Sequence, residues 1–173
     1  MPHINEKLDF CSEVFVVHDN KVLLRKHDKY KIWLSVGGHI EPGEDPMEAA
    51  IREVKEEVGI DVELFQDEKG ITPEDEKEVK SENEGWKQLV RPQSVIRHRI
   101  NETHEHVVFV YFGSSKTDKI ILPEAEITEE CKWFTKEELD SPAFKIMKEV
   151  RSNAKCALEK LSNPKTSACA RNT

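Results

Sequence analysis

Three glutamates, Glu53, Glu56 and Glu57, lie on one arc of a predicted helix, since positions three and four apart are helical neighbours. Arg52 is the one cation bordering the arc, so the acids are not neutralised locally. Each like-charge pair at this spacing costs about 0.2–0.5 kcal/mol. Two of the three also sit in the last helical turn, where the helix dipole favours cations. A hard divalent cation is the chemistry that compensates such a patch. As isolated residues the same acids read as a solvated helix face.

The elements around the acids position them. Asp45 suits the N-cap, Pro46 the first helical position, and Glu48 can reach back as a capping box. Gly59 supplies the left-handed stop. Met47, Ala50, Ile51, Val54 and Val58 form an apolar stripe beside the acidic arc. The carboxylates should therefore emerge at the edge of a packed interface, next to the preceding glycine loop, residues 36–44. Gly37 and Gly38 in that loop let backbone groups approach a ligand closely.

Gly38, Glu44 and the run Arg52-Glu53-Val54-Lys55-Glu56-Glu57-Val58-Gly59-Ile60 match the pattern G-x5-E-x7-R-E-U-x-E-E-x-G-U, with U apolar, at every defined position. The sequence therefore resembles the Nudix hydrolase family. The motif covers residues 38–60, and a looser likeness runs over about residues 10–140, with Trp33 before the glycines and Glu130-Cys131-Lys132-Trp133-Phe134 near the end. The resemblance implies an α/β/α sandwich with a mixed sheet. It also implies hydrolysis of the pyrophosphate link of a nucleoside diphosphate derivative, with Mg²⁺ or Mn²⁺ as cofactor. Glu53 and Glu57 resemble the principal metal ligands, with Glu56 a third or water-mediated one, and the resemblance implies that a carbonyl of Gly37 or Gly38 completes the shell. Arg52 resembles the arginine that orients neighbouring glutamates, and at i±4 it can pair with Glu56 or Glu48. Glu44 is expected to stabilise the loop–helix junction.

Glu105 falls just before the apolar run Val107 to Phe112, where the family often places an extra ligand or general base, and Glu130 is a weaker candidate for that duty. His104 and His106 flank Glu105 and, on a strand, point away from it. With no third ligand evident, the pair reads as structural or exposed. His39 reads equally as a phosphate contact or a surface loop residue. Arg25 reads as a solvated strand end within reach of a phosphate.

The 173 residues suit one domain, here taken as 1–163, followed by a disordered tail at 164–173. A hairpin is expected over Glu13 to Lys26, turning at His18-Asp19-Asn20. A strand at Ile32 to Val36 should feed the glycine loop. Further strands are expected at Asp61 to Phe65, Val95 to Ile100, His106 to Phe112 and Cys131 to Phe134. Thr135 with Glu138 forms a second capping box, and a longer helix should start at Ser141-Pro142. The charged segment of about 66–86 reads as an insertion or a substrate-facing lid, with Trp86 stacking on a base or capping the core edge.

A net charge of −8 argues against general nucleic-acid binding, and no apolar run is long enough to span a bilayer. Scattered Cys11, Cys131, Cys156 and Cys169 suit a reducing, cytoplasmic compartment. The expected partner is a small nucleotide, and the chain a monomer or homodimer. The proline of the ADP-ribose branch is displaced to Pro73, no tyrosine occupies that region, Leu23-Leu24-Arg25-Lys26 departs from the coenzyme A signature, and Val36 replaces a frequent proline. A nucleoside triphosphate or modified nucleotide is therefore the favoured substrate. An ADP-ribose or nucleotide-sugar hydrolase is the alternative, followed by a non-catalytic ligand-binding regulator.

Overall fold

The computed structural model describes residues 7–66, 89–122 and 130–162. Its spine is a parallel pair, β1 (Leu8–His18) and β7 (Glu105–Ser114), in register from Leu8 opposite Glu105 to Val17 opposite Ser114. The outer edge of β1 is shared. Its first half pairs antiparallel with β4 (Val36–His39), and its tip pairs with β2 (Lys21–His27). β2 carries β3 (Ile32–Leu34) and β8 (Cys131–Phe134), while β7 carries β6 (Ser94–Arg99) and the short β5 (Glu63–Leu64). The result is a mixed eight-stranded sheet with a helix on each face.

The pleat divides the core. Val14, Val16 and Tyr111 point to the face covered by Ala50, Val54 and Val58 of α1 (Pro46–Val58). Phe15, Val17, Val110 and Phe112 point to the face covered by Val150, Ala154, Ala157 and Leu158 of α2 (Lys148–Leu161). Burial of each such valine, leucine or phenylalanine contributes about 1.5–3 kcal/mol. Phe15 and Phe112, opposite one another in the parallel ladder, meet edge to face at 6.1 Å.

The α1 frame forms as the spacing predicts. Asp45 accepts hydrogen bonds from Met47 and Glu48 N–H, Glu48 accepts one from Asp45 N–H, and Gly59 ends the helix at φ 69°. Ile51, counted in the apolar stripe, is instead 40% exposed, and Ala49 takes its place in the interface. The hairpin turns at Asp19 and Asn20, both at positive φ (44° and 59°), the two-residue type whose twist matches the strands.

Three boundaries differ from expectation. β1 starts at Leu8 rather than Glu13, because β7 pairs with it along its whole length. The glycine loop opens as strand β4, its Gly37 and Gly38 paired with Glu13 and Ser12 of β1. The helix expected from Ser141 begins only at Lys148, because Lys145 C=O accepts from Trp33 N–H and Ile146 bridges the edge of β3. Thr135 and Glu138 do exchange capping hydrogen bonds, over a single 3-10 turn, Glu138–Asp140. Most of the 66–86 insertion, with Trp86, and the 164–173 tail lie outside the described residues.

Candidate active site

Arg52 organises the acidic arc. Its Nε and Nη2 donate to the two oxygens of Glu44 at 2.8 and 2.9 Å, Nη2 also donates to His39 C=O at 2.9 Å, and Nη1 donates to Glu53 and Glu56 at 2.9 Å each. A planar guanidinium with five donors suits this task, and a lysine could not reproduce it. The hydrogen bond from Arg52 holds the Glu44 carboxyl below its usual range. Glu44 also accepts from Glu41 N–H at 3.0 Å, so it fastens the loop to the helix. Of the two i±4 partners open to Arg52, Glu56 is taken, while Glu48 serves the cap.

Glu53 is 3% exposed and lies against Gly38, where an added Cβ would sit 2.6 Å from Glu53 Cδ. Burial pushes its carboxyl above the ordinary range against the opposing pull of Arg52. Glu57, 7% exposed, accepts from Gly37 N–H at 3.0 Å and forms an ion pair with the Arg25 guanidinium. Arg25 is thus no solvated strand end. Glu56 remains at the rim, its side chain 58% exposed. β4 therefore supplies the wall of the site: Gly37 binds Glu57, Gly38 seats Glu53 and His39 C=O anchors Arg52. A model of the NUDIX domain matches residues 12–154.

The chain belongs to the Nudix family.

A Nudix-family hydrolase from Clostridium perfringens is 34% identical, aligned over 90% of this chain and 98% of that one with a TM-score of 0.77. The MutT protein of Methanosarcina mazei Go1 shares the fold, at 16% identity, TM-score 0.61, and 92% and 99% coverage of the two chains. NAD-capped RNA hydrolase NudC of Vibrio atlanticus is 44% identical over 54 residues, 30% of this chain and 20% of that protein. Dihydroneopterin triphosphate diphosphatase of Escherichia coli K12 is 47% identical over 51 residues, 28% of this chain and 34% of that protein. The matched stretch spans a fifth to about a third of the length of these two relatives.

Glu105 is not brought to the glutamates of this Nudix site. It ion-pairs with Arg97 of β6, and the register puts it four residues, about 13 Å, along β7 from Phe109, the neighbour of Ser12 and so of Gly38. Glu130 pairs with Lys26 at 2.7 Å.

The histidines depart furthest from expectation. His104 and His106 do acquire partners: His39 of β4 and Asp9 of β1 converge on them, and the four ligand atoms lie within 4.8 Å of one another. Among the described residues this is the one group of three or more such side chains that meets at a point, the Nudix glutamates being drawn toward two arginines instead. Burial, with the neighbouring histidines, pushes the His106 imidazole down to about 4. Sequence reasoning missed Asp9 because its partners, on β4 and at the start of β7, are distant in the chain.

It also missed Phe10 and Phe109. Their rings stack at 6.4 Å beside a cleft of about 320 Å³ bounded by Ile40, Pro42 and Pro46 at the start of α1. Phe10 stays 45% exposed, an aromatic left at the surface beside the cleft.

Proposed function

We propose that this Nudix protein hydrolyses the pyrophosphate linkage of a nucleoside triphosphate or modified nucleotide, using Mg²⁺ or Mn²⁺. One observation carries the reading: Glu53, nearly inaccessible to water, is held ionisable between Arg52 and the bare backbone of Gly38. Glu53, Glu56 and Glu57 offer only hard oxygen donors, which fits Mg²⁺ or Mn²⁺ and suits softer ions less. Those three residues would hold the metal, which when bound acidifies water and neutralises phosphate charge.

The chain's own residues supply the rest. Arg52 fixes the directions of Glu53 and Glu56, and Arg25 sits beside Glu57 where an anionic phosphate would arrive. Positioning and electrostatics of this kind dominate phosphoryl transfer. The Phe10–Phe109 shelf offers a flat apolar surface for a base, with Gly38 one strand away across Ser12.

The match to dihydroneopterin triphosphate diphosphatase supports a triphosphate, cleaved by water to a monophosphate and pyrophosphate. The match to NAD-capped RNA hydrolase supports the second reading, an ADP-ribose or nucleotide-sugar pyrophosphatase, whose substrate joins a nucleoside diphosphate to another moiety. A panel of both classes with Mg²⁺ or Mn²⁺, read as pyrophosphate or monophosphate released, separates them. Tight binding of one nucleotide without turnover of any would replace the enzyme with a ligand-binding regulator.

A further inference from the structure

We propose a second cation site, formed by Asp9, His39, His104 and His106, that takes a borderline transition metal of the Zn²⁺ class in four-fold coordination. It lies on the opposite face of the sheet from the Nudix glutamates. His39 is opposite Cys11 and His106 is opposite Asp9 in the ladders, on the pleat face of Phe15 and Phe112, whereas Gly38 faces Glu53.

The spacing is that of a coordination shell. Zn²⁺ bonds of about 2.0–2.1 Å put adjacent ligand atoms of a tetrahedron about 3.3–3.4 Å apart. His39 Nε2 and His104 Nε2 lie 3.3 and 3.4 Å from Asp9 Oδ2, and His106 Nε2 lies 2.9 Å from His104 Nε2. The donor set, three imidazole nitrogens and one carboxylate oxygen, suits Zn²⁺ and its neighbours and does not suit Mg²⁺.

Hydrogen bonding alone serves these contacts poorly. His104 Nε2 carries at most one proton, which cannot be given both to Asp9 and to His106. A cation among them accepts all four lone pairs together. Asp9 is 1% and His104 5% exposed, as in closed structural sites with no position left for substrate. The ion would pin the start of β1, β4 and the entry to β7, and so steady the strand that seats Glu53 and anchors Arg52 on its other side. The site stands apart from the substrate reading, and neither depends on the other.

Cobalt is the direct probe. The chelator-stripped full chain, titrated with Co²⁺ in millimolar Mg²⁺, should develop the intense visible bands of four-coordinate cobalt, saturating at one equivalent and bleached by Zn²⁺. His106→Gln and His104→Gln should weaken this binding about a hundredfold or more, exceeding the loss typical of outer-shell partners. Glu53→Gln should leave it as in the parent. Circular dichroism confirms folding, and the half-exposed His106 provides the variant least disturbing to the core. Absence of the bands in the parent chain, parental affinity in a folded His106→Gln variant, or loss of the bands in Glu53→Gln would each overturn the site.

Discussion

The backbone of Gly38 lies directly against the carboxylate of Glu53: a methyl group on Gly38 would sit 2.6 Å from Glu53 Cδ and 2.8 Å from Oε2. At Gly37, one residue earlier, the same methyl would meet backbone instead, Ser12 C=O and the Cα of Glu13 at 2.6 Å. The two neighbours therefore guard different properties. Gly38→Ala should displace the tip of one side chain, lowering kcat at least about tenfold through a misplaced acid while the melting temperature stays close to the parent's. Gly37→Ala should strain the β1–β4 ladder and cost about 1–3 kcal/mol in denaturant unfolding. Steady-state kinetics and urea melts on both variants check the contrast.

Glu53→Gln keeps the side chain's size and removes its charge. Turnover should fall roughly 10²–10³-fold, the loss typical of one preorganised charge-stabilising group. The fold should survive, because the amide still fits against Gly38 and still accepts from Arg52. Unchanged kcat with a folded variant would remove Glu53 from the reaction.

Arg52→Lys retains the charge and loses the fork. A lysine cannot hold Glu44, His39 C=O, Glu53 and Glu56 together. We expect a higher Mg²⁺ concentration for half-maximal activity and a loss of about 1–3 kcal/mol of stability, since partly buried carboxylates lose their partner. A Mg²⁺ titration of activity measures the first effect and chemical denaturation the second.

Glu13 sits in β1 beneath Gly37 and accepts the Ser35 hydroxyl at 2.6 Å, yet burial raises its carboxyl above the ordinary 4.5. For a group whose folded value lies above its unfolded one, the stabilising contribution is present below the unfolded value and is lost as pH rises through the folded one. Glu13→Gln, which still accepts from Ser35, should therefore be more stable than the parent at pH 8. The advantage should shrink on acidification and vanish below pH 4.5. Thermal melts across that range test the sign, and a variant less stable than the parent at pH 8 would reverse it.

What was legible in the sequence was local. Asp45, Pro46, Glu48 and Gly59 fix the ends of α1 through contacts within four residues, and Glu53, Glu56 and Glu57 share an arc by helical geometry alone. The Asp19-Asn20 turn is likewise set by neighbours in the chain. The start of α2 was not legible, because a long-range hydrogen bond from Trp33 to Lys145 C=O holds the preceding segment extended.

The sequence by itself determined the acidic helix, its frame and the family pattern that they complete, since each rests on interactions a few residues long. The tertiary structure decided what those acids face: Arg25 reaches Glu57 and Gly38 reaches Glu53 only because β2 and β4 come together beside α1. It also decided that Asp9, His39, His104 and His106, spread over 98 positions from 9 to 106, form one group. Pairing across strands is set by the sheet's register and by burial of its two faces, and neither quantity is written in any short stretch of residues.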